Sequence, residues 1–97
     1  MSQPEIVYLD LTNCRDTRDL HQRIKETFDF PDFYGENWSA FWDCIMCETP
    51  VDYVEIRGEH TVAEDLIPAL EIVHKLLQKA KEKQAEYGWE FDYVIVD

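Results

Sequence analysis

Three short runs rich in β-branched and aromatic residues constrain the fold of this chain more than any other feature. They are EIVYLDL at 5–11, VDYVEIR at 51–57 and FDYVIV at 91–96, and each has the length and composition of a strand. Stretches with helical patterning separate them. Strands separated by helices pair in parallel, because the chain must cross back over the sheet before the next strand. The order predicts an α/β layer fold, with one domain over residues 1–97.

Three helices are predicted between these strands. The first takes Asp16 or Thr17 as its N-cap and ends before Pro31, with an apolar face made by Leu20, Ile24 and Phe28. The second begins at about residue 36 or 37 and runs to 48, before Pro50. The third has Pro68 in its first turn, Gly88 as its stop, and an apolar stripe made by Leu70, Val73, Leu76, Leu77 and Ala80.

Two polar stretches are predicted to connect these elements. PDFYGEN at 31–37 reads as a loop, with Gly35 as its expected site of unusual backbone angles. GEHTVAED at 58–65 reads as a loop or a short helical turn.

The second helix divides into two faces when its residues are placed about 100° apart. Trp38, Phe41 and Ile45 converge on one side and are expected in the core, with Cys44 at the edge as a half-buried residue. The opposite side carries Ser39, Asp43, Met46 and Cys47. Trp42 lies on the border, and a tryptophan beside an exposed acid is typical of a binding hot spot. A lone aspartate there can also be merely solvated, so the pattern by itself leaves both readings open.

Charge narrows the classes of partner. The 97 residues carry a net charge of −12, and ten of the 21 acidic residues lie between 29 and 65 with Arg57 as the one base among them, a local sum of −9. Acidity argues against direct binding of nucleic acid, which needs lysine and arginine to displace counterions. It suits a partner whose own surface is basic, and it also serves general solubility.

The place of the protein in the cell is expected to be the cytoplasm. No apolar run approaches the roughly 20 residues of a membrane span, and MSQPEIVYLD lacks the basic and apolar regions of a secretory signal. Three cysteines, an odd number, do not suit a disulfide framework. We therefore expect a reducing compartment and no association with a membrane.

Cys44 and Cys47 have the spacing of a redox dithiol, so thiol chemistry is an alternative function. A reactive pair needs a lowered thiol pKa, from a helix N-terminus or nearby cations. This pair falls late in its helix beside Asp43 and Glu48, which raise a thiol pKa. Cys14 and the three histidines are scattered, so no zinc site is expected. With three glycines in the chain there is also no phosphate-binding loop, and no cofactor is predicted.

The stretch PDFYGENWSAFWDC at 31–44 resembles the signature of the barstar family, small acidic inhibitors of microbial ribonucleases. The matching residues are a proline, an acid, two aromatics and Gly-Glu-Asn, followed on a helix by Trp-Asp-Cys: Pro31, Asp32, Phe33, Tyr34, Gly35, Glu36, Asn37, Trp42, Asp43 and Cys44. DLHQRIKE at 19–26 is similar to the first helix of that family. The resemblance extends in length and element order over the whole chain.

The resemblance implies a three-stranded parallel β-sheet packed with about three to four helices, and no enzymatic activity. It implies inhibition by occlusion, in which Asp43 takes the place of a substrate phosphate among basic groups of a barnase-type ribonuclease. Trp42 and Phe33 would pack against the target, Tyr34 would be partly core, and Gly35 and Asn37 would offer backbone and amide contacts. We expect a cytoplasmic monomer that forms a 1:1 complex with a basic secreted or delivered nuclease, as an immunity protein.

The sequence also departs from the family pattern. Phe33 stands where a tyrosine is typical, Ser39 where a second contact aspartate is typical, and Cys47 where glycine is common. Glu48 replaces an aromatic, and the acidic contact on the last helix matches Glu82 or, in another alignment, Lys83. Ser39, Met46 and Cys47 would tune specificity. These departures keep open a second function, an acidic regulatory module that binds another basic protein.

Overall fold

The sheet has three parallel strands in the order β1-β2-β3. The computed structural model describes residues 5–31, 34–35, 37–47 and 51–96. Strand β1 spans Ile6–Asp10, β2 spans Tyr53–Arg57 and β3 spans Asp92–Ile95. Ile6 is paired with Tyr53 and Tyr53 with Asp92, so the strands start in register at one edge. The three predicted strands are confirmed, each one or two residues shorter at its ends.

Three α-helices provide the crossovers. Helix α1 spans Thr17–Phe28, α2 spans Trp38–Cys47 and α3 spans Ile67–Glu86. The polar stretch after β2 forms two single 3₁₀ turns, Glu59–Thr61 and Glu64–Leu66. A three-stranded parallel sheet with three helices is the predicted α/β class, so that prediction is confirmed. Within the described ranges, no helix combines the length and the apolar character required to cross a bilayer.

Local chemistry explains where the helices begin and end. The side chain of Asp16, the N-cap of α1, accepts a hydrogen bond from the backbone N–H of Asp19 at 2.8 Å, which satisfies one of the N–H groups left open in the first turn. Asp29 ends α1 in the left-handed region at φ 56°. Pro68 lies in the first turn of α3, and Gly88 follows its end at φ 81°, a conformation that favours glycine.

The core lies on one face of the sheet. Val54 and Ile56 of the central strand are fully buried there beneath the apolar faces of the helices, which include Leu20, Ile24, Phe41, Ile45, Val73 and Leu77. Ile6 and Tyr8 point to the opposite face and are about half exposed. Because α2 leads into β2 and α3 into β3, both helices end at the amino edge of the sheet.

Candidate functional site

One face of helix α2 is buried in the core, and this packing fixes the position of the helix. Phe41 is 0% exposed and Ile45 1% exposed, and Trp38 packs half-buried against the core. Cys44 was expected to be half-buried at the edge of this face, but it is buried. The buried face of α2 therefore includes Cys44 and is wider than the predicted set of Trp38, Phe41 and Ile45. Core packing on this face fixes the backbone of α2, and the backbone in turn sets where the side chains of the opposite face leave the helix.

The outer face of α2 presents Asp43 and Ser39, which are both exposed and lie one turn apart. No hydrogen bond or ion pair joins the Asp43 carboxylate to any residue in the described part of the chain. Other carboxylates are already engaged by the fold: Asp16 caps α1, and Asp19 pairs with Arg23 at 3.1 Å. The Asp43 carboxylate is therefore available to an external cation.

Trp42 lies beside Asp43 and is half-buried, as its border position predicts. The Lys79 Nζ atom of α3 lies 5.0 Å from the centroid of the Trp42 ring, within the range of a cation–π contact. This contact joins α2 to α3. It also places a positive charge over the Trp42 ring, although residues 29–65 contain Arg57 as their one basic residue.

Met46 was expected on the exposed side of α2, but the structure shows it half-buried. The Gln84 Nε2 atom of α3 lies 4.0 Å from the Met46 Sδ atom and donates to the Ile45 carbonyl oxygen at 3.5 Å. Helix α3 covers this flank of α2, which a wheel drawn for α2 alone cannot reveal. Met46 lies at the margin of the outer face.

The loop that enters α2 is fixed by Asn37. Its Oδ1 accepts from the backbone N–H of Ala40 at 2.8 Å and its Nδ2 donates to the Gly35 carbonyl oxygen at 3.2 Å, so Asn37 caps the helix. Gly35 does not have the unusual backbone angles that were predicted, because its φ is outside the left-handed region. Its small size is what the loop uses: a Cβ there would lie 2.9 Å from the Asn37 Nδ2 atom.

Tyr34 is buried beneath this loop, at 5% exposure. Its hydroxyl lies 2.6 Å from the Nδ1 atom of His21 in α1, and the His21 ring is 4.5 Å from the Trp38 ring between centroids. His21 is itself 2% exposed. It therefore supports both the loop and the first turn of α2 from below, while the Tyr34 ring is withdrawn from the surface.

His21 was not among the predicted site residues, because the three histidines are scattered along the sequence. The sequence did contain a signal for its burial. His21, Ile24 and Phe28 have the spacing i, i+3, i+7 of a buried helical face. A histidine on such a face more often completes the core than holds a ligand, and it needs a hydrogen-bond partner there.

Glu82 lies exposed on α3 and accepts a hydrogen bond from the Gln78 side chain at 3.3 Å. Lys79 and Lys83 are one turn apart on α3, and Lys79 is the residue that reaches Trp42. The α3 surface next to α2 therefore offers lysines as well as Glu82. Phe33 and the side chain of Cys47, two further predicted contacts, lie outside the described residues, as do Asp32, Glu36 and Glu48.

Buried thiols do not favour redox chemistry. Cys44 is 4% exposed and Cys14 is 1% exposed. Burial raises the pKa of the Cys14 thiol, and Asp19 adds to this effect. Reactive cysteines need an accessible thiolate. Within the described ranges, no three His, Cys, Asp or Glu side chains come together as a metal site.

The Asp43 carboxylate on α2, with Trp42 next to it, can bind a guanidinium or an ammonium group on another molecule. Comparisons with known proteins point to one class. A family model described as "Barstar (barnase inhibitor)" matches residues 5–96. The chain is also similar to the "Putative ribonuclease inhibitor YrdF" of Bacillus subtilis (strain 168), with 54% identity over 26 residues. That stretch is 27% of this chain and 29% of the relative, so the chain matches less than a third of the relative's length.

Proposed function

The chain belongs to the barstar family, and from this premise we propose that it inhibits a basic microbial ribonuclease by covering the active site of that enzyme. The name of the Bacillus subtilis relative supports the same role. The observation that carries the proposal is the exposed Asp43 carboxylate, which has no partner in the described part of the chain and stands on a helix whose other face is buried.

Asp43 acts as the mimic of a substrate phosphate. A ribonuclease active site holds its substrate with cationic groups, and a carboxylate offers two oxygens that accept bidentate hydrogen bonds from a guanidinium. Because Phe41 and Ile45 hold α2 against the core, Asp43 is presented without a large loss of conformational entropy on binding. The protein performs no chemistry of its own in this mechanism.

The net charge of −12 accelerates the encounter with a basic enzyme. Contacts next to Asp43 then decide which enzyme is bound. Trp42 and Phe33 pack against the target, Gly35 and Asn37 shape the loop, and Tyr34 fixes that loop from beneath. Ser39, Met46 and Cys47 tune specificity, and Glu82 is an acidic contact on α3. The partner is a secreted or delivered nuclease, bound 1:1 by a cytoplasmic monomer that acts as its immunity protein.

Hydrolysis of a fluorogenic RNA by barnase, with increasing amounts of the protein, tests this proposal. The wild type should stop hydrolysis near one equivalent. Asp43→Ala should bind barnase more weakly by at least about 2–5 kcal/mol, or about 30-fold or more; the barnase–barstar complex is itself the worked example of this rule, with coupling energies of about 1.5–7 kcal/mol for its close charge pairs. Asp43→Asn should lose nearly as much, because it keeps the shape and removes the charge.

Glu71→Ala is the matched control. Glu71 is exposed on α3 and also has no partner in the described part of the chain. Its removal changes the net charge by the same amount, so it corrects for long-range attraction, and full inhibition is expected. A folded Asp43→Ala protein that inhibits as well as the wild type would contradict the role of Asp43. A folded wild type without any effect on barnase would contradict the choice of a barnase-type target.

A second candidate function is an acidic regulatory module for a different basic protein. Two features favour it: Ser39 stands where the family resemblance implies a second contact aspartate, and Lys79 places a positive charge over Trp42. Capture of a binding partner from the source cell, followed by assays of that partner for RNA and DNA cleavage, separates the two functions. A partner without nuclease activity would support the module, and a ribonuclease would support the inhibitor.

A further inference from the structure

Tyr87 and Trp89 form an exposed aromatic pair at the end of α3. They are 67% and 58% exposed, the highest values among the large hydrophobic side chains in the described part of the chain. Their ring centroids are 5.6 Å apart, with the planes inclined at 43°. Single exposed apolar residues are ordinary, but two touching aromatic rings form a patch of the kind that marks interaction sites.

The backbone beneath this pair is fixed. The Trp89 N–H donates to the Gln84 carbonyl oxygen at 2.9 Å, and the Gly88 N–H donates to the Ala85 carbonyl oxygen at 3.0 Å. With Gly88 at φ 81°, these bonds form a Schellman motif. In that motif the residue at the Trp89 position usually packs back onto the residue at the Gln84 position. Gln84 instead reaches toward α2, and Trp89 stays exposed although its backbone is held.

The pair is continuous with the candidate site. Gln84 accepts the Trp89 N–H with its main chain and donates to the Ile45 carbonyl oxygen of α2 with its side chain, at 3.5 Å. The end of α2 and the aromatic pair are thus attached to the same residue. Both helices end at the amino edge of the sheet. A protein that covers the outer face of α2 can therefore reach Tyr87 and Trp89 as well.

The charge around the pair selects a cation. Two carboxylates near the pair are already engaged, because Asp92 is paired with Lys81 at 3.1 Å and Glu86 with Lys83 at 3.7 Å. Glu90, next to Trp89, has no hydrogen bond or ion pair with any described residue. The face of an aromatic ring beside an open carboxylate attracts a guanidinium or an ammonium group. A second copy of this chain, with its own charge of −12, would be repelled rather than attracted.

We propose that Tyr87 and Trp89, with Glu90, form a second contact surface that receives an arginine or lysine side chain of the basic ribonuclease bound at α2. The identity of the partner rests on the proposed function. The recognition of a cation rests on the rings and on Glu90 alone, so it can be tested without the enzyme.

The first experiment measures the affinity of barnase for the wild type and for variants at low salt. Trp89→Ala should weaken binding about tenfold relative to the wild type. Trp89→Phe should keep most of the wild-type affinity, since phenylalanine keeps a ring face. Glu90→Gln should weaken binding about threefold, with the difference shrinking at high salt. Tyr8→Ala is the matched control. Tyr8 is 53% exposed on the open face of the sheet, and this variant should bind like the wild type.

Two outcomes separate this inference from the proposed function. Equal affinities of Trp89→Ala and the wild type would overturn the second contact surface and leave inhibition through Asp43 intact. If the wild type does not bind barnase, a titration with a six-arginine peptide, followed by the NMR signal of the Trp89 indole N–H, decides the inference. A shift of that signal that is reduced in Glu90→Gln supports the surface, and no shift overturns it.

Discussion

Removal of one buried hydroxyl should reveal how strongly α1 supports the candidate site. Tyr34→Phe deletes the oxygen that lies 2.6 Å from the His21 Nδ1 atom, and the two residues are 5% and 2% exposed. Water cannot easily replace the lost partner at such depth. A buried polar group that loses its hydrogen bond costs about 1–3 kcal/mol, so the free energy of unfolding should fall by that amount.

The loss should appear as a lower midpoint in urea unfolding, with an unchanged slope. For a chain of this size, each kcal/mol corresponds to about 4–8 °C in the melting temperature. Tyr53→Phe is the matched control, because the half-buried Tyr53 hydroxyl has no hydrogen-bond partner among the described residues. We expect the control to unfold within about 0.5 kcal/mol of the wild type.

The effect should also extend to binding, because Tyr34 lies directly before Gly35 and Asn37 at the entrance of α2. In urea unfolding, a double-mutant cycle of Tyr34→Phe and His21→Gln should show a coupling energy of about 0.5–3 kcal/mol between the two residues. Equal urea midpoints for Tyr34→Phe and the wild type would refute the reasoning, since they would mean that the buried contact contributes no net stability.

Two further predictions concern charged groups. The hydrogen bonds that Arg23 donates to Asp19 lower the pKa of that carboxyl, so the ionised pair stabilises the fold above the pKa of the unfolded chain, and this stability is lost as pH falls through the lowered folded pKa. Arg23→Gln should therefore lower the free energy of unfolding more at pH 7 than at pH 3, by at most about 1 kcal/mol of difference. An equal loss at both pH values would argue against this role of the pair. The control Arg18→Gln removes the same charge from an exposed position, and it should show no such pH dependence. Lys79→Gln should raise the association rate with barnase about two- to fivefold at low salt, because it removes a positive charge 5.0 Å from the Trp42 ring. The exposed control Lys75→Gln should change that rate less, and equal rates for both variants would show that the position of Lys79 is unimportant.

The strands and helices were predictable because each carries its own periodic signal. β-Branched runs marked all three strands, and the spacing of Leu20, Ile24 and Phe28 marked the buried face of α1. Asp16 and Gly88 have local roles, as an N-cap and as a left-handed residue after a helix, so their neighbours in sequence were sufficient to identify them. Gly35 shows the limit of that reasoning, since its role depends on the position of the Asn37 side chain rather than on its own φ.

The candidate site was less predictable because its surroundings come from other elements. A wheel for α2 orders its residues around one axis but does not show which flank α3 covers, so Met46 was predicted to be more exposed than it is. The same limit hid Lys79, which reaches Trp42 from 37 positions further along the chain. The Tyr87–Trp89 pair gave no periodic signal, and only the structure shows that both rings are exposed and in contact.

The sequence by itself therefore determined the α/β order, the acidic character and the motif around Asp43, because these depend on residue type and on spacing along one segment. Only the tertiary structure decided which side chains are accessible and which are engaged. His21 became a buried support for Tyr34, Asp43 stayed without a partner in the described part of the chain, and Lys79 came to lie over the Trp42 ring. Such outcomes depend on distances between segments that are remote in sequence, and those distances are set by packing of the whole core.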